Sequence, residues 1–266
     1  MDTRQIFEKL WKVYTEQNPH AREVYESFLQ EGEEVVNDHI AFRTFDDPRI
    51  SVDKMSEPFL DRGYILKGEY TFPDKHLYAR HFENPSLVNA PRVFISQLIT
   101  KDFSQALQEV VQSVVDQIPG GIVQSGELIY SGRLWKNISY STYELLRKES
   151  EYAAWLYVWG FCANHFTVSV NHLKKLDSLE KVNWFLKEKG FILNDAGGEI
   201  KGTPAELLEQ SSTRAGRQII SFIDGNYDIP ACYYEFARRY PDQSGQLYSG
   251  FIAKSADKIF ESTDNN

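Results

Sequence analysis

The stretch NDHIAFRTF, residues 37–45, alternates as a β-strand does and is rich in aromatic and β-branched side chains. Ile40, Phe42 and Thr44 share one face, and His39, Ala41, Arg43 and Phe45 share the other. An imidazole and a guanidinium are costly to bury without partners, so the second face predicts a polar, lined interior. A later stretch, ANHFTVSV (163–170), is built the same way: Asn in place of Asp, then His, then alternation. There His165, Thr167, Ser169 and Asn171 share a face, and Phe166, Val168 and Val170 point the other way.

Beyond these two strands the chain repeats itself. RGYIL (62–66) matches KGFIL (189–193) at a similar distance beyond each His. Residues 3–31 predict two helices ending at Gly32. After the first His strand come a helix, SVDKMSEPFLDRG, and three strands, YILKGEYTF, KHLYARHFE and RVFISQLIT. Residues 101–162 interrupt the pattern with DFSQALQEVVQSVVDQI, stopped by PGG, and a second helical run, STYELLRKESEYAAWLYVWGF. The second pass predicts a helix in LDSLEKVNWFLKEKG and a strand in FILND. It also predicts a helix opening at GTPAELLEQS, with Thr203 as cap and Glu206 closing a capping box, and strands in RQIISFIDG and PACYYEFARR. The expected fold is α+β. Two βαβββ repeats (37–100 and 163–240) form an open, cup-like β-sheet with helices outside. N-terminal helices (1–36), a helical insertion (101–162) and a C-terminal segment (241–266) complete one catalytic domain.

Glu235 lies inside the aromatic strand ACYYEFARR, on the face of Tyr233, Ala237 and Arg239, where a carboxylate needs a cation. His39, His165 and Glu235, converging from three strands, read as a metal site. Two His and one carboxylate with open positions suit non-haem Fe(II) and O₂, although such a donor set also accepts Zn. Aligning Pro91 with Pro230 puts Ser96 opposite Glu235, so the first half supplies no fourth ligand. Arg43 lies roughly 13 Å along the strand from His39. Its planar guanidinium can grip a substrate carboxylate with two parallel hydrogen bonds. Arg214 and Arg239 are candidates for a second carboxylate contact, and Tyr233 and Ser169 for shaping the pocket. His20, His76, His81 and His172 read as structural or solvent-exposed. The glycines of AGGEIKG lack the lysine of a phosphate loop.

A net charge of −9 argues against a nucleic-acid partner and leaves an anionic small molecule dependent on a local cation. The longest apolar run, AAWLYVWGFCA, is too short to span a membrane. Two cysteines without a CxxC spacing, and a start lacking the pattern of a secretory signal, predict a reducing, cytoplasmic setting.

DHIAFRTF, NHFTVSVN, YYEFARR and the ending YSGFIAKSADKIFEST resemble the 2-oxoadipate dioxygenase/decarboxylase family, and the paired βαβββ units resemble the vicinal oxygen chelate superfamily. The resemblance covers nearly the whole chain, and the better-studied members are longer. It implies Fe(II) on His39, His165 and Glu235, with Arg43 binding substrate. It also implies conversion of 2-oxoadipate and O₂ to 2-hydroxyglutarate and CO₂, a step of lysine breakdown. Two other readings of the residues are a Zn-and-water hydrolase or glyoxalase-like lyase, and a non-catalytic binding module.

Overall fold

The computed structural model describes residues 1–252. Residues 253–266, the end of the C-terminal segment and most of the YSGFIAKSADKIFEST run, lie outside the described residues. The chain opens with α1 (Thr3–Gln17) and α2 (Pro19–Gln30), α1 starting from a capping box between Asp2 and Gln5. The first pass follows as β1 (Asn37–Phe45), α3 (Val52–Leu60), β2 (Ile65–Phe72), β3 (Leu77–Glu83) and β4 (Arg92–Leu98). Four helices then intervene: α4 (Gln105–Val115), α5 (Gly120–Ser125), α6 (Tyr140–Glu149) and α7 (Glu151–Trp159). The second pass comprises β5 (Ala163–Ser169), α8 (Leu179–Glu188), β6 (Lys201–Thr203), β7 (Leu208–Ser212), β8 (Arg217–Phe222), β9 (Gly225–Pro230) and β10 (Tyr233–Arg239).

Eight strands make one mixed, curled sheet in the order β2-β3-β4-β1-β5-β10-β7-β6. Its centre is the antiparallel pair of His strands. His39 lies opposite Thr167 and Ala41 opposite His165. Because 167 is 165 + 2 and 41 is 39 + 2, a pseudo-two-fold axis relates the halves. β4 runs parallel to β1 just as β10 runs parallel to β5. This is the double βαβββ half-barrel that the repeat predicts.

Strand parity decides what each face packs on. Phe42, Phe166, Tyr234 and Phe236 point to the convex side, where Trp11 and Tyr14 of α1, Phe28 of α2, Phe59 of α3 and Phe185 of α8 cover them. The apolar run around Trp155 becomes α7, buried from Tyr152 to Trp159 and wedged against one end of the cup. Its indoles donate to Ala231 O (2.6 Å) and Pro230 O (2.8 Å). Gly160 then takes φ +68°, and a Cβ there would overlap the carbonyl oxygen of Gly132.

Four expectations change. STYELLRKESEYAAWLYVWGF is two helices, because Ser150 leaves the helical region to end α6 and cap α7. GTPAELLEQS is not a helix. Pro204–Glu206 form one 3₁₀ turn, Leu207 turns left-handed at φ +67°, and the chain returns as β7. The first pass does the same at Pro73–Lys75, with His76 at φ +52°, so the Pro marks a hairpin in both repeats. FILND supplies only an isolated bridge, Leu193–Thr213, and β6 takes its place beside β7. RQIISFIDG is β8, which among the described residues pairs only with β9, in a separate hairpin. That hairpin ties the second repeat to α6. Tyr140 and Tyr227 stack at 3.6 Å, and Asp224 accepts from the amides of Tyr140 and Ser141.

Glu33 fastens the N-terminal helices to the chain after β5. Its buried carboxylate accepts from the amides of Lys174 (2.6 Å), Lys175 (2.7 Å) and Leu176 (2.9 Å). Burial raises its pKa, but these amides outweigh burial and hold it below the ordinary 4.5. The Glu33→Gln amide oxygen cannot serve all three donors, so the variant should lose about 1–3 kcal/mol in denaturant titrations at pH 7. The folded pKa is the lowered one. The deficit against wild type should therefore be full above pH 4.5 and shrink as pH falls through the folded value.

Candidate metal centre

Each His sits at a β-bulge. On β1, Asn37 faces Val168 while His39 faces Thr167, which leaves Asp38 as an extra residue; on β5, Ala41 and Phe42 face His165 and Ala163, which leaves Asn164 extra. The bulges let Asp38 and Asn164 reach round to their neighbours. Asp38 Oδ1 lies 2.8 Å from His39 Nδ1, and Asn164 Oδ1 lies 3.1 Å from His165 Nδ1. With each Nδ1–H donated backward, each Nε2 presents its lone pair to the cup.

His39, His165 and Glu235 meet there, all buried, with their ligand atoms within 4.8 Å of one another. Glu235 Oε1 is 3.3 Å from His39 Nε2, Oε2 is 3.3 Å from His165 Nε2, and the two Nε2 atoms are 3.3 Å apart. Gln210 Nε2 donates to Glu235 Oε1 at 2.6 Å, while buried Oε2 accepts no hydrogen bond from the described residues. Thr167 Oγ1 lies 3.1 Å from His39 Nε2. Two imidazole nitrogens and a carboxylate oxygen left short of partners fit a divalent cation. The triad matches a 2-His-1-carboxylate Fe(II) site.

The charges agree with a site built for a cation. Burial pushes His165 down to about 3, with Glu235 opposing. Burial acts on His39 too, but Glu235 and the Asp38 hydrogen bond overcome it and hold this imidazole above its ordinary value. Burial would raise Glu235, yet His165 and His39 keep it below the usual carboxylate range. The two imidazoles are thus shifted in opposite directions, and metal binding at His39 competes with its protonation.

The Ser96 alignment needs correcting by two residues. The two-fold that carries His39 to His165 carries Ala41 to Thr167. Their parallel partners are Phe94 and Glu235. Phe94, packed on Tyr70, Phe72 and Phe251, therefore occupies the place of a fourth ligand. The Pro alignment failed because the loops before β4 and β10 differ in length.

Arg43 is buried on the cup face, its guanidinium 5.0 Å from the ring centroids of both Tyr152 and Trp155. Its charge helps lower His165 and opposes the burial that pushes the Tyr233 phenol up. Beyond it a cleft of about 200 Å³ opens between residues 74–77 and 149–152; it touches Arg43 and none of the three ligands. Tyr233 stacks on His165 at 4.7 Å, and its buried hydroxyl finds no hydrogen-bond partner among the described residues. Ser169 is buried and bonds His172 at 2.9 Å, in a second cleft with Asp38, Arg92 and Arg239. Arg214 is not brought to the triad: it is exposed and pairs with Asp195 at 3.0 Å. Arg239 is engaged by Asp38 and by the carbonyls of Tyr248 and Gly250. His81 is buried between Tyr70 and Glu83, and His76 pairs with Asp102. Sequence reasoning missed Asp38, Asn164, Gln210 and Phe251, whose ring lies 4.8 Å from His39. The Asp-His and Asn-His pairs were visible, but a bulge overrides the alternation that assigns residue 38 to the back face.

The family model for 2-oxoadipate dioxygenase/decarboxylase matches residues 4–119 and 127–243. A chloroplastic 2-oxoadipate dioxygenase/decarboxylase of Arabidopsis thaliana is 38% identical over 98% of this chain and 77% of its own. The rice (Oryza sativa) hydroxyglutarate synthase, solved in complex with 2-oxoadipate, is 35% identical with TM-score 0.92, over 98% of this chain and 92% of that one. A provisionally named hydrolase of Shewanella frigidimarina is 44% identical with TM-score 0.90, over 95% and 98% of the two chains.

His39→Ala, His165→Ala and Glu235→Gln should each abolish stoichiometric metal binding in elemental analysis while apoprotein folding persists. Proton competition at His39 should make wild-type metal affinity fall as pH drops through that residue's raised pKa, with proton release on loading seen by calorimetry in buffers of different ionisation heat.

Proposed function

The chain belongs to the 2-oxoadipate dioxygenase/decarboxylase family, within the vicinal oxygen chelate superfamily, and we propose that it converts 2-oxoadipate and O₂ to 2-hydroxyglutarate and CO₂. The observation that carries the proposal is the His39–His165–Glu235 triad at the floor of the cup. Fe(II) held there supplies the redox chemistry and the open positions for a 2-oxo acid and O₂. The protein's own share is binding, orientation and exclusion of water.

Arg43 serves as the carboxylate grip. It lies on the face and strand of His39, and its planar group is set between the rings of Tyr152 and Trp155. Tyr152 is fixed in turn: its hydroxyl donates to Ser96 O at 2.6 Å and accepts from Thr44 N at 3.0 Å. In a chain of net charge −9, a buried guanidinium gives a dianionic acid its local attraction. The Tyr233 hydroxyl, beside His165, is placed to donate a hydrogen bond to bound substrate. Ser169 shapes the far end of the cup. Phe94 and Phe251, with rings 4.9 Å apart, keep that wall apolar. A cytoplasmic setting belongs to the same reading, supported by two free, buried cysteines. Among the described residues no helix is long and apolar enough to cross a membrane.

The test is anaerobic loading with Fe(II), then O₂ uptake with 2-oxoadipate and with shorter and longer 2-oxo diacids. The expected result is CO₂ released with O₂ consumed and ¹⁸O from labelled O₂ in the product alcohol. No O₂ consumption with any 2-oxo acid would defeat the proposal, and turnover without O₂ would favour a Zn hydrolase or lyase.

Arg43→Ala should keep metal and fold but lose on the order of 2–5 kcal/mol in kcat/KM, because a desolvated carboxylate contact is gone. Arg43→Lys should recover only part, since an ammonium cannot copy the planar fork. Near-wild-type kcat/KM in metal-loaded Arg43→Ala would make Arg43 structural.

A further inference from the structure

The two-fold that matches His39 with His165 also matches Asp38 with Asn164, and there the halves stop being alike. Both residues are the extra residue of a bulge, and both back the Nδ1 of the following His, at 2.8 and 3.1 Å. One is a carboxylate and the other an amide. Asp38 is buried, and Arg239 takes both its oxygens: Nε to Oδ2 at 2.7 Å and Nη2 to Oδ1 at 2.9 Å. Arg92 Nη1 stands 3.4 Å from Oδ2. Arg239 is itself buried, and its Nη1 donates to Tyr248 O (3.0 Å) and Gly250 O (2.7 Å). Asn164 has no such anchor, and its buried Nδ2 meets no acceptor among the described residues.

A carboxylate only accepts, so His39 must give it the Nδ1 proton and keep Nε2 bare. A negative charge behind Nδ1 also raises electron density at Nε2, which a neutral amide does far less. Arg239 offsets the burial of that charge and stops Asp38 from swinging forward to become a ligand. We propose that Asp38, locked by Arg239, is a positioning residue that makes His39 the stronger of two unequal imidazole donors. The metal then has a carboxylate-backed imidazole from one half of the cup and an amide-backed imidazole from the other. This inference rests on the triad being the metal site, but not on the reaction carried out there.

The test therefore uses metal binding rather than turnover. Co(II) is titrated into apoprotein against a chelator, following affinity and the visible absorption bands of the bound ion. Asp38→Asn, which makes the halves chemically alike, should raise the Co(II) Kd roughly 10–100-fold and shift the bands. Asn164→Ala should raise it by a clearly smaller factor. If Asp38→Asn fails to fold because Arg239 is left as an unpaired buried cation, Asp38→Asn/Arg239→Gln removes both charges, and it should show the same rise in Kd at an apoprotein Tm close to wild type. An unchanged Kd and spectrum in whichever of these folds, or a larger loss in Asn164→Ala, would overturn the assignment. Loss of O₂ chemistry with the Co(II) asymmetry intact would count against the reaction and leave this inference standing.

Discussion

Pairing two copies of one strand antiparallel, two residues out of step, is the constraint from which the site follows. Because β1 and β5 run side by side with His39 opposite Thr167 and His165 opposite Ala41, the imidazoles emerge on the same face at neighbouring positions. β10, parallel to β5, then delivers Glu235 beside Thr167, one strand away. No loop is needed to assemble the three ligands. They stand on buried, central strands of the sheet, which is what a site with little tolerance for misplacement requires. A one-residue slip in the central register would put the two histidines on opposite faces of the sheet, one of them in the aromatic back.

Cup and back are stabilised by opposite chemistries. The convex side is a layer of tilted and edge-on aromatics between the sheet and α1, α2, α3 and α8. The concave side carries a chain of charged and polar contacts: Arg239 to Asp38 to His39, then Glu235 to Gln210. α7, apolar on every side, closes one end and lays Tyr152 and Trp155 against Arg43. The helical insertion between the repeats thus packs against the His39 strand as well as interrupting the pattern.

Much of this was legible in the sequence, because strand parity and repetition are strong signals. The DH and NH strands, the matching Gly63 and Gly190, and a Glu among aromatics were enough to place the triad. What escaped has physical causes. Thr203-Pro204 looks like a helix start because Ser/Thr-Pro-x-Glu caps helices and 3₁₀ turns alike. Only the parallel with Pro73 in the first repeat separates them. With GTPAELLEQS read as helix, Gln210 could not be seen facing Glu235. The β8–β9 hairpin escaped because an alternating strand does not say which sheet it joins. The bulges escaped because one extra residue breaks the alternation, and the Arg239–Asp38 pair is a contact across the sheet that no local pattern encodes.

Whether this one place in the cup holds iron and a 2-oxo acid together is settled by anomalous X-ray diffraction at the iron edge, on crystals grown anaerobically with Fe(II) and 2-oxoadipate. The expected result is a single strong iron peak bonded to His39 Nε2, His165 Nε2 and a Glu235 oxygen, with the keto acid on the open side and a carboxylate at Arg43. An iron peak away from these three side chains, or an occupied triad with substrate bound elsewhere, would contradict it.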